Sequence, residues 1–174
     1  MVLEVYFQGQ CFLFIFLLMT FTDSIKSCIN KYATFKGRAP RSEYWWFILF
    51  YILVFSISYA VFAGIGYMIG GFKGMFLACL ICAALIILMF FIPLLAVAVR
   101  RLHDTGRSGW WMLLSFAPQL LQPVVYFVGI GTLGLFGVII GFAYGALTLI
   151  GAVWLFVLML LDSDEENEYG LPVY

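Results

Sequence analysis

The chain has 174 residues, of which 65% are hydrophobic and 10% are charged, and its formal net charge is zero. A soluble domain is about 45–50% apolar and about 25% charged, and a chain of this length could not hide so much apolar surface from water. We therefore predict an integral membrane protein. The balanced charge argues against a nucleic-acid partner, and a single histidine excludes a metal site made of histidines alone.

The first 18 residues are predicted to be foreign to the natural protein. Residues 2–10 read VLEVYFQGQ and resemble a hybrid of two engineered protease sites. Residues 11–18 are apolar, but they are too few to span a bilayer, which takes about 20 residues, and they lack the basic flank of a secretory signal. We expect the natural sequence to start at Met19.

Residues 19–36 are predicted to form an amphipathic helix, and Thr20 with Asp23 is typical of a capping box at its start. This helix would lie in the membrane interface, or its apolar face would pack against the protein's own transmembrane helices. The sequence leaves both alternatives open. The apolar positions at helical spacing are Phe21, Ile25, Cys28, Ile29, Tyr32 and Phe35.

Four apolar segments within residues 37–161 are predicted to be transmembrane helices, because backbone groups in lipid must be hydrogen-bonded within the segment. Trp45 and Trp111 each belong to a tryptophan pair typical of the headgroup region. The predicted fold class is therefore an all-α, four-helix membrane bundle preceded by an amphipathic interfacial helix. The predicted spans are residues 44–69, 75–99, 110–128 and 135–161, followed by an acidic cytoplasmic tail at 162–174.

The distribution of basic residues predicts the orientation. Eight of the nine lysines and arginines lie before the first span or between the second and third, and only Lys73 lies on the other side. By the positive-inside rule, both termini and the central loop are cytoplasmic. We therefore expect a multi-pass protein of the bacterial inner membrane.

Small residues repeat every four positions in two of the spans, a pattern that allows close packing of helices. The repeats are Gly137, Gly141 and Gly145 in the fourth span and Ser56, Ala60 and Gly64 in the first. They predict either a contact within the chain or a homo-oligomer face.

Prolines, glutamines and cysteines also fall inside the apolar spans. Pro93, Pro118 and Pro123 predict kinks. Gln119 and Gln122 lie beside two of these prolines and either bond to the freed carbonyl groups or line a polar cavity. The pair Cys79 and Cys82 is predicted to pack as small apolar residues rather than to bind a metal. We predict no metal and no cofactor.

Three polar motifs fall on the predicted cytoplasmic side. They are KGRAPRSEYW at residues 36–45, RRLHDTGRSGWW at 100–111 and NEYGLP at 167–172. With Phe35, the first two motifs match, in order, the patterns F-x-G-R-x-x-R-x-E-Y-W and R-R-L-H-D-x-x-R-S-x-W-W, and NEYGLP is similar to the third, N-x-Y-G-x-x-P, with one residue fewer before the proline. The chain thus resembles the bacterial inner-membrane family known as domain of unknown function 805 over residues 19–172. The resemblance implies no activity.

The chemistry of the motifs allows two interpretations. In one, arginines pair with carboxylates and with the acidic tail, and surplus arginines contact anionic lipid. In the other, the arginines bind a phosphate headgroup, since a guanidinium is a rigid fork suited to phosphate. The residues concerned are Arg38, Arg41, Glu43, Arg100, Arg101, His103, Asp104 and Arg107. We assign no catalytic residue, although His103 could serve as a general base in a phosphate site.

Three functional hypotheses follow. The first is a non-enzymatic anchoring, scaffolding or sensing protein whose arginine-rich cap contacts anionic lipid. The second is a small transporter, channel or lipid-handling protein that uses the proline-kinked third span. The third is an enzyme acting on lipid phosphate. The expected partners are membrane lipids, a second copy of the chain or another membrane protein.

Overall fold

A computed structural model describes residues 19–171, and it describes their side chains except at residues 114, 115 and 128–133. The predicted foreign leader, residues 1–18, lies outside the described residues, as do residues 172–174 of the tail. Within the described part, all regular secondary structure is helical, apart from one isolated β-bridge between Asn167 and Gly170. The all-α class predicted from the sequence is therefore confirmed.

Residues 19–171 form four helices, the second of which is divided in two. They are α1 (Phe21–Asn30), α2 (Arg41–Asp104), α3 (Trp111–Leu133) and α4 (Leu135–Leu160). Gly70 and Gly71 have non-helical backbone angles, and the positive φ of 58° at Gly71 is one that glycine adopts without strain. We name the two halves of α2 the first arm (41–69) and the second arm (72–104).

The helices of the first three predicted spans are longer than the apolar segments from which they were predicted. The first arm begins at Arg41 rather than Tyr44, and the second arm starts after a turn of two glycines rather than five residues. The segment 100–104, predicted as loop, is helical. Residues 129–133, predicted as a glycine-rich turn, belong to α3, and the chain reverses at Gly134, where φ is 53°.

The two arms pack against each other in antiparallel orientation. Phe47 of the first arm contacts Phe90 of the second, with ring centroids 6.3 Å apart, and Cys82 is buried in the same cluster. Near the turn, a Cβ added to Gly66 would lie 2.6 Å from the carbonyl oxygen of Gly74. The arms therefore approach at backbone distance. The prediction that Cys79 and Cys82 are packing residues is confirmed, since both are buried.

The small residues predicted to pack in the first span do not form this contact. Ser56, Ala60 and Gly64 are exposed, and no described atom lies within 4 Å of a Cβ built on Gly64. The contact within the chain is made instead by Gly66, which lies on a different face of the helix. The intramolecular alternative is therefore wrong for this face, and the oligomer alternative stays a prediction.

The glycine repeat of the fourth span lies in the contact between α3 and α4. Gly137 and Gly141 are buried, and a Cβ on Gly141 would lie 2.9 Å from the ring of Tyr126. Gly145 is adjacent to the hydroxyl of the same tyrosine. Here the intramolecular alternative is the one that the structure supports.

Gly141→Leu is expected to destabilise the protein, because the new side chain would displace the ring of Tyr126, and overpacking typically costs about 1–3 kcal/mol. Thermal unfolding of the purified protein in mild detergent measures this. Phe142→Leu, on an exposed neighbouring position, is the control. Equal melting temperatures for both variants would contradict the contact.

The amphipathic helix α1 packs against α2 but keeps part of its apolar surface exposed. Thr20 caps its start by accepting the Asp23 amide at 3.2 Å. Ser24 and Cys28 are buried, and Phe21 makes an edge contact with Trp46, whereas Ile29 is 54% exposed. One side of this helix therefore packs against the protein's own helices, and the other side leaves apolar surface exposed, as an interfacial helix would. Both alternatives left open by the sequence remain compatible with the structure.

A hydrogen bond joins the segment after α1 to the kink site of the second arm. Pro93 has no N–H, so the carbonyl of Met89, four residues earlier, loses its helical partner. The Tyr32 hydroxyl donates to that carbonyl at 2.7 Å. The proline therefore creates an acceptor that helps to hold the amphipathic segment in place.

Two of the helices, Arg41–Asp104 and Leu135–Leu160, are long and apolar enough to cross a membrane by length and composition. Much of their apolar surface is uncovered, since Leu88 is 75% exposed and Phe142 is 76% exposed. Large exposed apolar surfaces on a folded chain mark contact with lipid or with another protein.

Candidate functional site

The three polar motifs meet at one end of the molecule, where they form a buried group of charged side chains. We name this group the arginine cluster, and its members are Arg38, Glu43, Arg100, Arg101 and Asp104. Each member is at most 5% exposed. The three motifs contact one another there, as described below.

The arginine cluster forms where the C-termini of three helices come together. Helix α1 ends at Asn30, the second arm at Asp104 and α4 at Leu160. The last carbonyl groups of a helix have no partner within the helix, and burying them without one is costly. Arg38 and Arg101 supply such partners at the ends of the second arm and α4, and Arg100 bonds to carbonyls just beyond α1.

Arg38 donates all five of its guanidinium hydrogens to the protein. Its Nε bonds to Asp104 Oδ1 at 2.8 Å, and its Nη2 bonds to the carbonyl oxygens of Asp104 at 3.0 Å and Asp164 at 2.5 Å. Its Nη1 bonds to the carbonyl oxygens of Glu165 at 2.7 Å and Gly170 at 2.8 Å. A guanidinium has five N–H donors, so Arg38 retains none for a ligand.

Arg101 joins the end of α4 to Asp104. Its Nε donates to the carbonyl of Met159 at 3.2 Å, and its Nη2 donates to the carbonyl of Leu161. Its Nη1 pairs with Asp104 Oδ2. Burial lowers the pKa of Arg101 to about 10, and the charge of Asp104 opposes that shift. Arg101 therefore remains protonated at neutral pH.

Arg100 caps the end of the amphipathic segment. Its Nη1 donates to the carbonyl oxygens of Lys31 at 3.1 Å and Thr34 at 2.8 Å. Its Nη2 pairs with Glu43 Oε1 at 2.9 Å. The Nε of Arg100 has no hydrogen-bond partner among the described residues. Glu43 therefore pairs with Arg100, whereas Arg101 pairs with Asp104.

Glu43 also receives bonds from α1. The Ser27 hydroxyl donates to Glu43 Oε1 at 3.1 Å and the Cys28 thiol donates to it at 3.6 Å. Burial, together with the negative charge of Glu43, raises the pKa of the Cys28 thiol to about 12. The thiol therefore remains neutral and acts as a hydrogen-bond donor rather than a nucleophile.

The charges of this site are nearly balanced. The arginine cluster contains three positive and two negative side chains, and each helix C-terminus contributes roughly half a negative charge. Three C-termini therefore offset the remaining positive charge. The fixed charges and helix ends of the site therefore come close to electrical balance by themselves.

The tail caps the second arm. The amide of Asp164 donates to the carbonyl of Asp104 at 2.9 Å, and Asn167 Nδ2 donates to the carbonyl of His103 at 3.0 Å. The arm itself ends in a Schellman motif, in which Arg107 N bonds to Leu102 O, and Gly106 has a φ of 67°. The motifs at residues 36–45 and 167–172 thus both bind the motif at 100–111, where the second arm ends.

The remaining predicted site residues lie around the arginine cluster. Arg41 donates to the carbonyl of Leu161 at 2.8 Å and pairs with the exposed Asp162 at 2.6 Å. Arg107 is partly exposed. His103 stacks on Tyr169 with ring centroids 3.9 Å apart, and its Nδ1 donates to the carbonyl of Gly37 at 3.2 Å.

A cavity of about 510 Å³ lies beside His103, between the second arm and the start of α3. Neither Gln119, which is exposed, nor Gln122, which is partly buried, belongs to its lining. The prediction of a polar cavity at these glutamines stays a prediction. Among residues 19–171, no group of three or more histidine, cysteine or carboxylate side chains is placed to hold a metal ion.

The sequence did not reveal the capping role of the arginines. The motifs suggested carboxylate and phosphate partners, whereas most arginine donors bond to backbone carbonyls. The only available signal was the spacing of the motifs, each beside the end of an apolar segment.

Comparison with known proteins gives the family. A family model described as Protein of unknown function (DUF805) matches residues 32–171. Inner membrane protein YhaI of Escherichia coli is 40% identical over 110 residues, which cover 62% of this chain and 85% of YhaI. Inner membrane protein YhaH of the same organism is 38% identical over 90 residues, which cover 52% of this chain and 69% of YhaH. No solved structure matches the chain. The family model covers most of the sequence, including the first two polar motifs and all but the last residue of the third, and the protein therefore belongs to the DUF805 family.

Proposed function

We propose that this chain is a multi-pass bacterial inner-membrane protein that anchors, scaffolds or senses without catalysis. In this proposal its four helical spans place both termini in the cytoplasm. The relatives YhaI and YhaH are named inner membrane proteins, which supports the location. The eight-to-one distribution of basic residues supports the orientation.

The observation that carries the proposal is the use of the arginine donors. All five N–H groups of Arg38 bond within the protein, and Arg101 bonds to two carbonyls and to Asp104. A phosphate-binding or catalytic site needs donors that are free to meet substrate. Donors used in this way favour a structural cap that binds the amphipathic helix and the tail to the bundle.

Contact with anionic lipid is then assigned to basic residues outside the arginine cluster. Lys26 and Lys36 are exposed, Arg107 is partly exposed, and the Lys31 side chain is 45% exposed. Basic residues near a membrane surface contribute about 1 kcal/mol each to binding anionic lipid. The exposed Ile29 places apolar surface beside them, as in an interfacial helix.

The alternative is a small transporter, channel or lipid-handling protein. No aspartate, glutamate, lysine or arginine falls within the four predicted spans, and coupled transporters commonly place ionisable residues there. The cavity beside His103 is the observation that favours lipid handling among these. A lipid-phosphate enzyme is third, with His103 as its only histidine.

Cysteine labelling tests the orientation. Lys73 is exposed beside the turn between the arms, so Lys73→Cys, with the native cysteines replaced by alanine, should react with an impermeant thiol reagent added to intact spheroplasts. Lys36→Cys, on the other side, should react only after the membrane is opened. Labelling of position 36 but not 73 in intact spheroplasts would reverse the orientation. Equal labelling of both positions would contradict the four-span arrangement.

A further inference from the structure

The cavity beside His103 has walls that match a lipid chain. One wall is formed by the second arm, where every fourth residue faces the space: Phe91, Leu95, Val99 and His103. Twelve residues of helix are about 18 Å long. The hydrocarbon core of a bilayer is about 30 Å thick, so one leaflet is about 15 Å deep. The cavity therefore has the length of one leaflet.

The opposite wall is equally apolar. Met112, Phe116 and Leu120 of α3 line it at the same four-residue spacing, and Phe35 contributes from the loop after α1. The principal contact of α3 is with α4, which leaves the space beside the second arm open. A volume of about 510 Å³ is within the range of small-molecule sites, about 300–1,000 Å³.

The polar groups of the cavity lie at one end only. His103 and Ser108 both lie at the end of the arginine cluster, beside Trp110, which is 77% exposed. The ring of His103 is held in place there, because its Nδ1 donates to the carbonyl of Gly37. Arg107, next to Ser108 in sequence, adds positive charge. An apolar slot with a polar, positively charged end fits an amphiphile with an anionic headgroup.

We propose that this cavity binds one acyl chain of an anionic glycerophospholipid from the adjacent leaflet, with the headgroup at His103, Ser108 and Arg107. This inference rests on the membrane location proposed above. It does not require the arginine cluster to bind lipid. It assigns to the chain a specific lipid site, distinct from the general lipid contact of its outer surface.

Photolabelling tests the site in the full-length protein. The protein is reconstituted into phospholipid vesicles that contain phosphatidylglycerol with a diazirine on one acyl chain. Labels should concentrate on the cavity walls, at Leu95, Met112 and Phe116. Leu95→Trp, which fills the space, should reduce labelling of the α3 wall about tenfold, equivalent to the loss of about 1.4 kcal/mol of binding.

Two controls separate the site from general lipid contact and from misfolding. Leu88→Trp makes the same change on the second arm at an exposed position outside the cavity, and it should leave labelling unchanged. Phe116→Trp fills the cavity from the other wall and should reproduce the loss at Leu95 and Met112. Melting temperatures identify any variant that fails to fold.

Several outcomes would overturn the proposal. Labels spread evenly around the helices would indicate only general lipid contact. Labelling by a diazirine fatty acid but not by the phosphatidylglycerol probe would assign the cavity to free fatty acids. Disulfide cross-links between two copies that carry Leu120→Cys, at the cavity wall, would show that a second chain fills it. If the thiol reagent labels Lys73→Cys as expected while the cavity fails these tests, the membrane orientation stands without the lipid site.

Discussion

Asp104→Asn is expected to be among the most destabilising single substitutions in this protein. Asp104 is fully buried and pairs with both Arg38 and Arg101. The neutral amide would leave two buried guanidiniums without their counter-charge. Removing one partner of a buried ion pair typically costs about 3–5 kcal/mol. For a protein of this size, that corresponds to a fall of roughly 6–20 °C in melting temperature.

Two measurements check this prediction. The first is thermal unfolding in mild detergent, with Asp162→Asn as the control, since Asp162 pairs with Arg41 but its side chain is 88% exposed. Exposed ion pairs contribute about 0–1 kcal/mol. The second is cleavage by a glutamate-specific protease at Glu165 and Glu166, which should accelerate in Asp104→Asn as the tail is released. If Asp104→Asn lowered the melting temperature no more than Asp162→Asn does, the structural role of the arginine cluster would be refuted.

Glu43 and Arg100 are expected to show strong energetic coupling. Glu43→Gln leaves Arg100 buried without its carboxylate partner. Arg100→Gln leaves Glu43 without its strongest donor and also frees the carbonyls of Lys31 and Thr34, which lie just after α1. Each change should therefore cost about 3–5 kcal/mol. Because the second change removes a charge that the first has already left unpaired, the double variant should lose less than the sum of the two.

These single and double variants form a double-mutant cycle, and the matched control is the same cycle for Glu43 and Arg101. Arg101 pairs with Asp104 instead, so its coupling to Glu43 should be smaller. Residues that share an interaction typically couple by about 0.5–3 kcal/mol. Equal coupling in the two cycles would contradict the specific pairing. If Arg100→Gln instead released bound anionic lipid while leaving stability unchanged, the cluster would be a headgroup site.

The two interpretations of the arginine motifs differ in what happens to the donors. A headgroup site keeps donors free until the ligand arrives, whereas a structural cap uses them within the fold. Three helix ends meet in this protein, and their carbonyl groups need donors whether or not lipid is present. The arginines thus fulfil a requirement of the backbone, and the two carboxylates balance their charge.

The sequence by itself determined the fold class, the family and the existence of the polar end. Its excess of apolar residues could not be buried in a soluble domain of 174 residues, and its motifs were specific enough to indicate the family. The glycine face around Gly141 also followed from spacing alone, because every fourth residue of a helix shares one face.

Only the tertiary structure decided which partners the charged residues take. The pairing of Glu43 with Arg100, and of Asp104 with both Arg38 and Arg101, depends on how helices far apart in sequence are oriented. The same holds for the close approach of Gly66 to Gly74. The repeat of small residues at Ser56, Ala60 and Gly64 did not predict this contact. Local sequence fixes which face of a helix is small or charged, but the partner of that face depends on the packing of the whole chain.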